Sequence, residues 1–145
     1  MLDLGCNIGA MLFQASNMGI ASGLGVEYDE DKVEISKEIA ALSNLHMLSF
    51  RQGDIDELTA EDIGEFDIVF SLAIEGHVRD RDRYFDLLYS ITKHVLYFEC
   101  NIYCTVEDAT EQLRNADFKD IIFIGLSNDD INLFYNKRPM FKAIK

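Results

Sequence analysis

The sequence predicts an α/β protein built on a doubly wound, largely parallel sheet, and two observations carry this prediction. Strand-like apolar runs alternate with amphipathic runs along the whole chain of 145 residues, as they do when helices connect parallel strands. The first strand also leads straight into a glycine-spaced turn and a helix. Strands are expected near 1–4, 23–28, 46–51, 66–71, 94–99, 119–126 and 139–145. Helices are expected near 8–18, 29–43, 80–92 and 105–116, with a short turn near 57–63.

The first strand and its turn form the most informative stretch. Residues 3–9 read DLGCNIG, and good helix formers follow them. Glycines at positions 5 and 9 permit a tight turn and place no Cβ between the chain and a ligand. Because the first N–H groups of the helix point above the strand, a small polar molecule could bind there. Taken alone, the spacing is equally typical of an ordinary βα turn.

The second strand ends in an acid at a meaningful distance. Glu27 lies 22 positions after Gly5 (27 − 5). A carboxylate at the tip of the second strand can accept two ribose O–H bonds, as in Rossmann-type units, so this order of residues indicates a nucleoside. Two features argue against a nicotinamide cofactor: the turn lacks Gly-x-Gly-x-x-Gly, and Asp3 precedes its first glycine.

Local signals support the later elements. The 29–43 segment is amphipathic, and Asp29 is its expected N-cap. The 105–116 segment begins with a loose capping box. Pro139 fits a strand start better than a central strand position, and the polar stretch 128–132 predicts the connection between the last two strands.

With these residues in place, the sequence resembles a class I S-adenosylmethionine-dependent methyltransferase, with the small-molecule and sugar enzymes as the nearest likeness. The resemblance rests on residues 3–9, on Glu27, on 53–55 (GDI) and on 66–72 (FDIVFSL), in the family's order. The tail from 117 to 142 is similar to the closing strands of that fold. The match therefore covers nearly the whole chain.

The resemblance implies a particular architecture. It implies a Rossmann-like seven-stranded sheet in the order 3-2-1-4-5-7-6, with the last strand antiparallel, and one S-adenosylmethionine-binding domain over residues 1–145. Family members usually have helices before the first strand, whereas here that strand begins at Met1. We therefore expect an N-terminally minimal form whose acceptor site is completed by a partner or by a missing N-terminal segment.

The resemblance also implies a set of cofactor-binding residues. Within it, Asp3 helps to hold the amino group of the cofactor, Glu27 accepts the ribose hydroxyls, and Asp54 accepts the exocyclic amine of adenine. Each acid has a plain structural alternative as a turn cap or a surface residue. The full set is Asp3, Gly5, Cys6, Asn7, Gly9, Glu27, Tyr28, Asp54, Ile55, Ser71 and Leu72.

The expected acceptor site is the loop after the fourth strand, because ligands bind at the carboxyl ends of parallel strands. His77 lies there and is expected to act as a base or to position the acceptor, although a histidine packed under a loop would look the same. Glu75 is a second catalytic candidate. In the arginine run 79–83, Arg79 could bind an anionic substrate, and Arg138 has a similar claim.

Composition narrows the possible partners. The net charge of −13 disfavours a broad nucleic-acid-binding surface. No targeting segment and no run long enough to span a bilayer is visible, so a cytoplasmic protein without membrane contact is expected. The three cysteines are expected to be buried free thiols, and no metal is predicted.

These observations favour methyl transfer from S-adenosylmethionine to an O or N atom of a small-molecule or carbohydrate-like acceptor. An alternative is a catalytically weak cofactor-binding subunit or fragment that needs a partner to complete the acceptor site. A transfer-RNA methyltransferase and an NAD-binding Rossmann protein are further alternatives.

Overall fold

The structure is a computed structural model that describes residues 1–128 and 130–145. The strands are β1 (Leu2–Leu4), β2 (Gly23–Glu27), β3 (Leu48–Gln52), β4 (Phe66–Leu72), β5 (Thr92–Glu99), β6 (Asp120–Leu126) and β7 (Pro139–Ile144). The α-helices are α1 (Ala10–Asn17), α2 (Glu30–Leu42), α3 (Ala60–Ile63), α4 (Arg81–Ile91) and α5 (Val106–Asn115). Short 3₁₀ helices cover Glu75–His77 and Leu133–Tyr135.

The strands of the described chain form one sheet in the order β3-β2-β1-β4-β5-β7-β6. The pairs β1–β2, β2–β3 and β4–β5 are parallel. By contrast, β7 runs antiparallel to both β5 and β6. The predicted fold class and strand order are therefore confirmed.

Residues Met1–Leu58 form the first of two compact units. Both leucines of β1 are completely buried, and a cluster of apolar side chains packs below the sheet around Leu12, Val33 and Phe50. Helix α2 begins where expected, since the Asp29 side chain accepts a hydrogen bond from the Asp31 N–H (3.0 Å). Parallel strands and their helices thus bring the carboxyl ends of β1 and β2 to one edge of this unit.

Residues Thr59–Lys145 form the second compact unit. Its core contains Tyr84 and Phe85 of α4, Phe98 of β5 and Phe141 of β7, all buried. Asp80 caps α4 by accepting from the Arg83 N–H (3.1 Å), and reciprocal capping boxes begin α3 and α5. The expected connection at 128–132 lies in this unit, except that Asp129 is outside the described residues. No helix in the described part of the chain is long and apolar enough to cross a membrane.

Candidate active site

The turn between β1 and α1 is tied to the tip of β2. Gly5, Asn7 and Gly9 all adopt left-handed backbone conformations, with φ values of 68°, 51° and 80°. Glycine adopts this conformation without strain, and asparagine tolerates it better than most residues. The Gly5 and Cys6 N–H groups both donate to the carbonyl of Val26, at 2.8 and 3.1 Å. The shape of the turn is therefore fixed by the adjacent strand.

Gly9 and Cys6 also serve the core of the first unit. A Cβ on Gly9 would lie 2.6 Å from the Phe50 ring, so this position is filled by packing as well as constrained by φ. The Cys6 side chain is buried, and burial is the main reason that the pKa of its thiol rises to about 12. Because the Cys6 side chain is buried, its main-chain atoms are the ones suited to contact a polar ligand.

Glu27 is held in place by backbone donors at the tip of β2. Its Oε2 accepts from the Asn7 N–H (2.8 Å), and its Oε1 accepts from the Asp29 N–H (3.1 Å). Each carboxylate oxygen keeps a second lone pair, so Glu27 can still accept two hydroxyl groups. The neighbouring Tyr28 side chain is exposed.

The Asp3 carboxyl is buried among the residues of the first unit. It is 3% exposed, and no described residue hydrogen-bonds to its side chain. Burial, together with the nearby charge of Glu27, raises the pKa of Asp3 from its ordinary value of 3.8 to about 7. A buried carboxyl of this kind, beside a second acid, is a favourable place for a cationic group.

The turn after β3 lies against the same strand tip. The Gly53 N–H donates to the Glu27 carbonyl (2.9 Å), and a Cβ on Gly53 would lie 2.9 Å from Val26. Asp54, half-buried, accepts from the Asp56 N–H (3.0 Å), and Ile55 follows it. The first unit therefore brings together the turn 5–9, Glu27 and the Asp54–Ile55 pair, as expected from the sequence.

The second unit carries the remaining predicted residues. Ser71, in β4, is buried and its hydroxyl is hydrogen-bonded to the Tyr84 hydroxyl; Leu72 follows it. Beyond them the chain borders an open cleft of about 400 Å³. Its lining residues are Glu75, Gly76, His77, Val78, Arg81, Asn101, Ile102, Tyr103 and Cys104.

His77 and Glu75 occupy different environments in this cleft. The His77 side chain is exposed at the end of its 3₁₀ turn, where it can meet a ligand. Glu75 is buried, and its Oε1 lies 3.3 Å from Nη2 of Arg81. Glu75 is therefore placed to position Arg81, which lines the same cleft.

The loop after β5 contributes residues that the sequence did not single out. Asn101 donates from Nδ2 to the Ala73 carbonyl (3.3 Å). The same Nδ2 would lie 2.5 Å from a Cβ on Gly76, so the Asn101 side chain leaves no room for a larger residue there. Tyr103 is exposed at the rim, whereas Cys104 is buried in the wall, with its sulfur 3.9 Å from Arg81 Nη2. These residues follow the end of a parallel strand, β5, just as His77 follows β4. Position after a strand end was therefore the signal that could have found them.

The two arginines expected to bind substrate differ in their surroundings. Arg79 is exposed at the edge of the loop and has interactions of its own. Arg138 donates from Nε to Glu99 (2.7 Å) and from Nη1 to Asp130 (2.9 Å), and its side chain is only 12% exposed. Its charge is thus already balanced, and it ties the β6–β7 connection to the end of β5. In the described residues, no group of three or more candidate side chains could hold a metal ion.

A glycine-spaced βα turn, a second-strand acid and this strand order together define the Rossmann-like methyltransferase fold. The family model described as "Methyltransferase domain" matches residues 1–138. The chain belongs to this methyltransferase family, so the predicted family is confirmed. The family uses S-adenosylmethionine.

Individual relatives are more distant. The chain is 30% identical over 80 residues to a ubiquinone biosynthesis O-methyltransferase of Acinetobacter baumannii (strain ACICU), a match that covers 55% of this chain and 33% of the relative. The chain thus spans about a third of the length of the curated relatives it matches. Magnesium protoporphyrin IX methyltransferase (ChlM) from Synechocystis PCC 6803, solved with SAH, superimposes with a TM-score of 0.80 at 18% identity, over 99% of this chain and 73% of that chain. The N-terminal domain of EvdMO1 with SAH bound gives 0.78 at 15% identity, over 99% and 71%.

Proposed function

We propose that the chain binds S-adenosylmethionine at the tips of β1, β2 and β3 and transfers its methyl group to an O or N atom of a small-molecule or carbohydrate-like acceptor. The observation that carries the proposal is the pair of acids in the first unit. Asp3 offers a buried carboxyl that accepts from no donor among the described residues, and Glu27 offers two oriented oxygens. The ammonium group of an amino acid needs a carboxyl partner, and the hydroxyls of a ribose need oriented acceptor oxygens, so a ligand that joins the two would use both acids.

The residues present fit this ligand group by group. The ammonium of its methionine portion would lie against Asp3, and the ribose hydroxyls would donate to Glu27. The adenine amine would donate to Asp54, beside the side chain of Ile55. When bound, S-adenosylmethionine supplies an activated methyl group on sulfur, so the protein's main task is to hold the acceptor in line with it.

In the second unit, His77 is the group proposed to take the acceptor's proton. A hydroxyl or a weakly acidic N–H must lose its proton as the new bond forms, and an exposed neutral imidazole can accept it. His77 faces a cleft that also carries polar groups from Arg81, Asn101 and Tyr103. These donors suit an oxygen-rich acceptor such as a sugar.

Replacing His77 by alanine is expected to lower methyl transfer about 100-fold or more, the range typical of a lost general base. The affinity for S-adenosylhomocysteine should stay unchanged. Transfer of labelled methyl from S-adenosylmethionine into fractionated cell extract identifies the acceptor and then measures the rate. The His46→Ala variant is the matched control, since His46 is exposed in the first unit. Full activity of His77→Ala would contradict the role, and cofactor binding without transfer to any acceptor would favour the partner-dependent alternative.

Asp3 predicts a pH-dependent affinity. Only its ionised form attracts an ammonium group, and its pKa is raised to about 7. Affinity for S-adenosylhomocysteine is therefore expected to rise about tenfold between pH 6 and 8, whereas Asp3→Asn should bind weakly with no such slope. Calorimetric titrations at both pH values measure this, and an equal slope in the two proteins would contradict it.

Raising the pH is expected to strengthen ligand binding through Asp3 but to lower the stability of the chain without ligand. Because the pKa of Asp3 is higher in the folded chain than its ordinary 3.8, its contribution to stability falls as the pH rises from about 4 to 7 and is fully lost above pH 7. Without ligand, Asp3→Asn should therefore raise the melting temperature more at pH 8 than at pH 5. This independent readout shows whether the carboxyl is buried as described.

A further inference from the structure

The outermost strand of the sheet presents an unusual amount of apolar surface. Strand β6 lies at one end of the strand order, next to β7. Its second edge faces away from β7. Ile122, Phe123, Ile124 and Leu126 are each between 46% and 50% exposed. A long, apolar edge strand of this kind is normally covered, because its free N–H and C=O groups pair readily with another strand.

The apolar surface continues into the segment after β6. Ile131, Leu133 and Phe134 are more than two-thirds exposed, and Tyr135 is 41% exposed. Together with the β6 side chains they expose on the order of 1,000 Å² per chain, whereas a standard interface buries about 800 Å² per partner. A patch of this size on a single protein usually marks a binding surface.

The charge of β6 is compatible with a second copy of this chain as the occupant. The chain carries a net charge of −13, so most contacts between two copies would be repulsive. Residues 119–127 are an exception, since Lys119 and Asp120 are their only charged residues and balance each other. Two copies can therefore approach along β6 without placing net negative charge against net negative charge.

We propose that two copies of this chain associate through an antiparallel pairing of their β6 strands around a twofold axis near Phe123. In this register Ile122 and Ile124 of the two copies lie near one another across the axis, on either side of the irregularity that β6 shows between Phe123 and Gly125, and Asp120 lies toward Leu126 of the other copy. The two Asp120 side chains are then at opposite ends of the contact. A twofold interface of this type uses the same surface on both subunits and closes as a dimer.

The pairing extends the sheet from one copy into the next. It satisfies the outward-facing main-chain groups of β6 and buries the aliphatic side chains on both of its faces. The surface lies wholly in the second unit and includes no residue placed in the proposed cofactor site. The inference therefore stands or falls independently of the proposed function.

Light scattering coupled to gel filtration tests the proposal. The wild-type chain at about 100 μM is expected to show twice its monomer mass of 16.5 kDa. The double variant Ile122→Lys/Ile124→Lys should be monomeric, because it places like charges in the contact. The control Leu42→Lys, at a strongly exposed position in α2, should remain dimeric. A monomeric wild-type chain, or a double variant as dimeric as the wild type, would overturn the proposal.

Hydrogen exchange on the wild-type chain gives a second test that does not depend on the variant's folding. Those amides of residues 120–126 that point away from β7 should exchange at least tenfold more slowly at 100 μM than at 1 μM, while amides of β3 at the other sheet edge should not change. Exchange of β6 amides that does not depend on concentration would also overturn the proposal. Unchanged S-adenosylhomocysteine affinity in the double variant would show that the cofactor site is intact.

Discussion

Replacing Glu27 by alanine is expected to lower the affinity for S-adenosylhomocysteine at least about a hundredfold. Two hydrogen bonds to a charged acceptor are lost with the ribose, each contributing about 1.5–3 kcal/mol, and every 1.4 kcal/mol is about a factor of ten in affinity. Isothermal titration calorimetry on purified protein measures the change directly.

The fold should survive this substitution. Glu27 accepts from the Asn7 and Asp29 N–H groups at exposed positions, where water can replace the carboxylate. Circular dichroism and melting temperature should therefore change little. Glu38→Ala removes the same charge from an exposed position on α2 and is the matched control. Binding by Glu27→Ala within threefold of the wild type would show that the ribose lies elsewhere.

Replacing Gly9 by valine is expected to destabilise the first unit by about 2–5 kcal/mol. A residue with a Cβ pays about 1–2 kcal/mol for the left-handed conformation at φ 80°. The new side chain must also displace the Phe50 ring, which lies 2.6 Å from the Cβ position, and such overpacking costs about 1–3 kcal/mol. Urea denaturation followed by circular dichroism measures the loss of unfolding free energy.

Gly19 provides the control for this experiment. Its φ is 86°, yet no described atom outside Gly19 and its two chain neighbours lies within 4 Å of its Cβ position. The loss of unfolding free energy in Gly19→Val should therefore come from the backbone conformation alone, about 1–2 kcal/mol. Equal losses in the two variants would show that packing against Phe50 contributes nothing and that the turn is not tied to the core as described.

The fold was predictable from local patterns because alternating strands and helices constrain the topology strongly. Differences arose at element ends. Helix α1 begins at Ala10 rather than near residue 8, because Gly9 is left-handed and cannot continue a helix backwards. Strand β5 begins at Thr92, two residues before the predicted start, directly where α4 ends.

The grouping of the turn 5–9, Glu27 and the Asp54–Ile55 pair was also predictable, because these residues follow strand ends in a fixed order. The environment of Asp3 was not, since its raised pKa depends on burial and on the distance to Glu27 in the folded chain. The pairing of Arg138 with Glu99 was similarly hidden, because the two residues are 39 positions apart in the chain. The cleft residues after β5 carry no charge pattern that would have distinguished them.

We propose that the tips of β1, β2 and β3 form a site for S-adenosylmethionine. Titration of the wild-type chain with S-adenosylhomocysteine and, separately, with NAD distinguishes this site from one for a nicotinamide cofactor. We expect saturable one-to-one binding of S-adenosylhomocysteine, tighter at pH 8 than at pH 6, and no binding of NAD at the same concentrations. Binding of NAD without binding of S-adenosylhomocysteine would show that these strand tips hold a different nucleotide.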